Sequence, residues 1–415
     1  MRTKLFIFNT MIVVISLLLV SLTNTVIAQQ QDLLFSPKSL NNSIPSTNMT
    51  TLSDAQLNSS NSPGSQFMLP SLFAKNEKSI VSVIATFPTV NGSEVNSSGL
   101  QDSSSISNNQ LNAFGTGFVY DTKGHIITTD SVVAGSHEQE VEFMDGTIYK
   151  AEVIGSDPYS DISVLLVKGV PENKLKPVEF INNSSDVLVG EQAATIGTYG
   201  VLSGLLSDGI ISGVHKTIYL QVIDEDAPPY AVVDAIVSTV VTNPGSVGAP
   251  LFNLKGQVVG INTVGSSISE EYAGFSVAAS SNTIKKEVPQ IISTGTYKHP
   301  WLGISGIDLT PNIISAIGLN NTETKGVIVA LVDQGSPAEL AGLSNGTSEN
   351  SIYLGNNESA NSDADIIVGI DAKPVDKIQD IANYFHDKSV GDIVILKILR
   401  NGDIQHTNVT LTGRP

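Results

Sequence analysis

From Phe114 to Val277 the chain is written in apolar and β-branched runs of four to eight residues. Each run is closed by a turn signal such as Asp121-Thr-Lys-Gly124, Asp145-Gly146 or Asn253-Leu-Lys-Gly256. No sustained helical period lies between the runs, so helices do not alternate with strands and a doubly wound parallel sheet is disfavoured. The pattern predicts many short antiparallel strands closed into barrels or stacked as a sandwich. Only from Asn282 to Ile292 does the period turn helical, and Gly295 then supplies the stop.

The pattern becomes mixed after Trp301. Ser336-Pro337-Ala-Glu-Leu-Ala-Gly342 combines a capping serine, a proline at the first helical position and a glycine past the end, which specify one short helix. A second helix is predicted from Asp376 as its cap and Ile378, Ile381, Ala382 and Phe385 on one face. A strand over Ile393 to Leu399, an Asn401-Gly402 turn and a strand ending near Leu411 close the chain as a hairpin. Residues 299–415 therefore read as a small α+β domain, with a Ser/Asn/Gly-rich insert at 344–363 expected to be a mobile loop.

With 415 residues and 41% hydrophobic content the chain can fill two cores. Without cysteine, those cores rest on burial and hydrogen bonds alone, and thiol chemistry is excluded. Forty acidic against 22 basic residues give a net charge of −18, which repels polyanions and argues against nucleic acid as a partner. Residues 1–28 have the build of an export signal: Arg2 and Lys4, an apolar run from Met11 to Leu22, then Val26 and Ala28 before a cut. Retention of the segment as a membrane tether, with Phe6 and Ile7 added to the run, is the other reading. Either way the chain is expected outside the cytoplasm, secreted or associated with the envelope. Residues 29–67 are too poor in buriable area to fold and read as a polar tether, and 91–109 as a long polar insert in the first domain, 68–295. Asn-x-Ser/Thr acceptors at Asn41, Asn48, Asn58, Asn91, Asn96, Asn182, Asn320, Asn345, Asn357 and Asn408 suit a glycosylated surface, and equally a composition rich in Asn and Ser.

Three segments, in order, carry a resemblance. Gly115-Thr-Gly-Phe-Val runs through a turn to Thr-Thr-Asp-Ser131-Val-Val; Asp157-Pro-Tyr-Ser-Asp161-Ile-Ser-Val-Leu follows; Asn243-Pro-Gly245-Ser-Val247-Gly-Ala-Pro-Leu comes third. Together they resemble the catalytic segments of the HtrA/DegP family, trypsin-like serine proteases with PDZ domains. Ile196-Gly-Thr-Tyr-Gly200, Ser207-Asp-Gly-Ile-Ile-Ser212 and Val258-Val-Gly-Ile-Asn262 add to it. The resemblance implies a mostly β fold, a trypsin-like double antiparallel β-barrel followed by a PDZ domain. It puts Ser131 at the histidine position, Asp161 at the aspartate, Val247 at the nucleophile and Gly245 in the oxyanion loop. Only Asp161 matches the family. A valine cannot attack a carbonyl, and a hydroxyl at Ser131 can neither act as base near neutral pH nor hand a proton to the leaving amine. Ser246, His125 and His137 are the neighbours from which a rescue would have to come.

Asp161 is expected instead to accept hydrogen bonds from backbone groups or from the Ser131 hydroxyl. Similarly, His299-Pro-Trp301-Leu302-Gly303-Ile304 resembles the carboxylate-binding turn of the family's PDZ domains, so a peptide would add as a strand there, against the second helix. No metal or other cofactor is implied, since His137-Glu138 lacks a second histidine and Asn361 to Asp365 lacks the rest of a calcium loop. The leading functional reading is an inactive protease homologue that holds unfolded segments or protein C-termini, in quality control or regulation. The others are a serine endopeptidase with an unorthodox site and a structural or adhesive surface module. A homo-oligomer, trimeric by resemblance, would form through Leu69 to Phe73.

Overall fold

The computed structural model describes residues 68–88, 105–107, 110–199, 202–220, 230–263, 274–319, 323–347, 350–355 and 358–415. The expected leader (1–28) and tether (29–67), and all of the insert at 91–109 except 105–107, lie outside these residues. Among the described residues no helix is long and apolar enough to cross a membrane.

Helix α1 (Met68–Asn76) opens the described chain. The first sheet contains β1 (Ile80–Phe87), β2 (Ser105–Ser107), β3 (Gln110–Val119), β4 (His125–Thr128), β5 (Glu138–Phe143), β6 (Ile148–Asp157) and β7 (Ile162–Val167), with a single helical turn, α2 (Asp130–Val133), after β4. Its order is β1-β5-β6-β7-β4-β3-β2, and an antiparallel β1–β3 pairing closes six of the strands into a barrel. A second sheet takes β8 (Glu179–Phe180), β9 (Gln192–Tyr199), β10 (Leu202–Leu220), β11 (Tyr230–Ser238), β12 (Pro250–Asn253), β13 (Gln257–Asn262) and β14 (Ser276–Ser280). There the β12–β13 pairing closes another six-stranded barrel. The mostly β double barrel expected from the sequence is what forms, and closure leaves few edges for unwanted pairing.

Alternation explains the strands. On β5 every second side chain is buried, the mark of a strand with one face on a core. One buried cluster crosses the seam, joining Ile80, Phe118, Ile127 and Ile162 of the first barrel to Ile196, Phe252 and Val277 of the second. It extends to α3 (Ser281–Thr294), where the Ser280 hydroxyl accepts from the Thr283 N–H and Gly295, at φ 84°, ends the helix. Burying Ile284, Val288 and Ile291 on one face of α3 contributes roughly 1.5–3 kcal/mol each.

The third layer is the α+β domain. Strands β15 (Pro300–Trp301), β16 (Ile304–Asp308), β17 (Val327–Val332), β18 (Ser351–Gly355), β19 (Glu358–Asn361), β20 (Ile366–Ile370), β21 (Lys373–Pro374), β22 (Ile393–Arg400), β23 (Asp403–Thr410) and β24 (Thr412–Gly413) are interleaved with α4 (Pro311–Ala316), α5 (Pro337–Leu340) and α6 (Ile378–His386). The main sheet runs β16-β17-β20-β22-β23, which makes β16 an edge strand. Two local expectations need correction. The 344–363 insert is not a loop throughout, because β18 and β19 pair in it as an antiparallel hairpin. Nor does Asp376 cap α6: its carboxylate pairs with Lys325, the N-cap is Lys377, and Asp380 accepts from the N–H groups of Asp376 and Lys377.

Candidate functional site

The turn carrying Val247 sits where the barrels meet. Pro244–Ser246 forms a 3-10 turn, and the Thr116 N–H of β3 donates to the Val247 carbonyl at 2.8 Å. The next residue, Gly248, has φ 85°, and a Cβ there would strike the Thr116 carbonyl and the Thr128 hydroxyl, so only glycine lets the turn approach β3 and β4 this closely. The Gly245 carbonyl accepts from the Thr116 hydroxyl at 2.6 Å and the Thr198 hydroxyl at 3.2 Å. Val247 itself is 1% exposed and belongs to the first barrel's core, with Val132, Val133, Ile126 and Leu165. The Val247 side chain is thus a packing group.

Ser131 lies on α2, directly after the β4 strand. Its N–H donates to Asp161 Oδ1 at 2.8 Å and its hydroxyl to Oδ2 at 3.1 Å. Asp161 is 2% exposed and takes φ 56°, a left-handed conformation that aspartate tolerates better than most residues. The carboxylate that would orient an imidazole is engaged with Ser131 instead. The His125 ring bonds Asp121 at 2.6 Å, while the His137 N–H donates to the Thr86 carbonyl. Ser246 is buried, its hydroxyl packed on Gly197, where any added Cβ would collide with it. The His125 ring is thus held by Asp121, and Ser246 lies buried against Gly197.

In the α+β domain a groove of about 650 Å³ lies between β16 and α6. Leu302, Gly303 and Ile304 form one side and Ile378, Ala382 and Phe385 the other. Gly303, at φ 82°, packs so closely on Ser336 that a side chain would clash. The turn is held by the Leu302 carbonyl accepting from Ala338 and the Gly303 carbonyl from Asp333, while Ser336 caps α5. Among the described residues β16 pairs on one side only, with β17, and its other edge faces this groove, so an extended peptide can pair with it. Ala231 and Val233 of β11 supply a further wall, and no described residue of the 344–363 insert lines the groove.

One polar cluster escaped the sequence reading. Asp157 at the end of β6, Ser160, Glu287 on α3 and His299 meet where the barrels join the α+β domain, with His299 Nε2 2.6 Å from Asp157 Oδ2. Burial pushes the Asp157 carboxyl up, but the bonded His299 imidazole and the Ser160 hydroxyl outweigh it and hold the pKa below the usual range. Glu287 is raised well above its ordinary value, by burial first and then by the Asp157 charge. Burial, helped by the same two carboxylates, lifts the Tyr297 hydroxyl to about 12. The available signal was Glu287 itself, an acid at a core position of the α3 stripe Ile284, Val288 and Ile291.

Comparison with known proteins bears on the whole described chain. The trypsin-like peptidase domain family matches residues 115–261 and the PDZ domain family residues 300–411. The chain is 32% identical to the serine protease Do-like HtrB of Bacillus subtilis over 74% of its length and 67% of that protein's. It is 32% identical to the Do-like HtrA of the same organism over 72% of this chain and 64% of the relative. With a probable periplasmic DegP-like endoprotease of Brucella suis it shares 30% identity over 73% of this chain and 53% of the other. It thus spans about half to two-thirds of the length of such relatives. Among solved structures, an HtrA-type protease AlgW with a decapeptide superposes with a TM-score of 0.63 at 21% identity, covering 84% of this chain and 99% of the other.

Proposed function

This chain belongs to the HtrA/DegP family of trypsin-like serine peptidases carrying a PDZ domain, and from that premise we propose that it is a proteolytically inactive member that binds peptide segments. The observation that carries the proposal is the closure of Ser131 onto Asp161 beside a Val247 packed into the barrel core. With serine in place of the family's histidine and valine in place of its nucleophile, the triad contribution, of order 10⁶ in comparable proteases, is lost.

Peptide binding rests on the groove. An unpaired β16 edge, an apolar floor and a Leu302-Gly303-Ile304 turn supply backbone pairing and side-chain pockets for a peptide that ends in an apolar residue. Unfolded polypeptides or exposed protein C-termini are the ligand class, and the periplasmic names of several relatives support an extracytoplasmic setting. Export through residues 1–28, with cleavage or retention as a tether, and homo-oligomerisation near α1 belong to the same proposal. N-terminal sequencing and light scattering check them.

The deciding experiment treats the purified chain with a fluorophosphonate probe and with a denatured protein substrate. No labelling and no cleavage are expected. Labelling of any serine together with substrate loss would restore the reading of an active endopeptidase, in line with the protease names of the relatives.

A further inference from the structure

We propose that Asp157, Glu287 and His299 bind a divalent transition metal of the zinc type, which ties the PDZ domain to the barrels. One oxygen or nitrogen from each of the three lies within 4.8 Å of the other two, and each comes from a different part of the fold: the end of β6, the core face of α3 and the entry to β15. Two carboxylates and an imidazole are a donor set that suits zinc and its neighbours better than calcium or magnesium.

Hydrogen counting shows that the cluster takes one more proton or cation than the Ser160 hydroxyl supplies. Ser160 Oγ carries one hydrogen yet lies 2.5 Å from Asp157 Oδ2 and 2.5 Å from Glu287 Oε2, so one of these two close oxygen contacts has no serine hydrogen in it. No lysine or arginine among the described residues forms an ion pair with either carboxylate. The Lys286 ammonium next to Glu287 in sequence is spent on the carbonyls of His386 and Lys388. Asp157 is 2% and Glu287 1% exposed, so little bulk water screens the two carboxylates. A cation among the three ligands satisfies every one of these oxygens at once.

The surroundings also fit. A tetrahedral shell with bonds of about 2.0–2.2 Å sets its donors about 3.3–3.6 Å apart, so the 2.6 Å between His299 and Asp157 has to widen by only about 1 Å. The rings of Tyr297 and Tyr159 pack edge-on against His299 at 4.8 and 5.4 Å and steady the imidazole, while the Tyr159 N–H donates to Asp157 Oδ1. Ser160, Glu287 and His299 line the end of the 650 Å³ groove, which gives an ion a path in. Because His299 precedes the Pro300–Trp301 strand and the Leu302-Gly303 turn, the ion would fix the start of the peptide-binding turn on the barrel.

The test uses the full, tag-free chain stripped with chelator. Zn²⁺ at a hundredfold excess over its Kd should raise Tm by about 5 °C. Co²⁺ should give a visible d–d absorption, and Mg²⁺ and Ca²⁺ should do neither. Glu287→Gln, which keeps the shape of the side chain, and His299→Gln should each abolish both signals while retaining a cooperative melt and native Trp301 emission. The proposal is overturned if the stripped protein shows no Zn²⁺-dependent rise, or if both variants respond as the natural chain does.

Discussion

The seam between the two barrels and the groove of the PDZ domain differ in what the local residues do with the space. At the seam of the barrels the positions for chemistry are filled inward: Val247 joins a core, and Ser131 satisfies the Asp161 carboxylate. At the PDZ groove the parts for recognition are left outward, with an unpaired strand edge and an apolar floor facing about 650 Å³ of space. The difference teaches that a family scaffold can keep its packing while its two sites diverge in what they can do.

The sharpest way to break the comparison is to place the family's catalytic residues at the barrel seam. Ser131→His combined with Val247→Ser should yield endopeptidase activity at least about 10³-fold above the natural chain in a denatured-substrate assay. Equal rates in both proteins would mean that the seam and the groove do not differ as described. Val247→Ser alone should lower stability by about 2 kcal/mol in a urea melt, because it removes buried methyl groups and buries a hydroxyl in their place. A neutral effect would place Val247 outside the core. In the PDZ groove Ala382→Glu sets bulk and negative charge on the wall. It should weaken binding of a peptide with a free apolar C-terminus about tenfold, or ~1.4 kcal/mol, read by the emission of Trp301, the single tryptophan. The smallest effect belongs to Ser131→Ala, which deletes one hydroxyl hydrogen bond to Asp161 but leaves the backbone one, and should cost about 1 kcal/mol of stability.

Much of the fold was legible because it is local. The Asp121-Thr-Lys-Gly124 and Asn401-Gly402 turns, the Ser336 cap and the Gly295 stop are short-range devices whose chemistry works without knowledge of the partner strand. Near α6 the same logic misled, since Asp376 looks like a cap but finds Lys325, which lies far from it along the chain. The hairpin in the 344–363 insert was equally hidden: a Ser/Asn/Gly-rich segment carries little apolar alternation from which strands can be read.

By itself, the sequence determined that a serine stands at 131 and a valine at 247, and a valine side chain carries no heteroatom in any conformation. What only the tertiary structure decided is where those side chains point and which distant groups meet, as when Asp157, Glu287 and His299 converge beside the peptide groove. Chemical capacity belongs to single residues, whereas proximity between residues far apart in the chain is set by how the barrels and the last domain pack together.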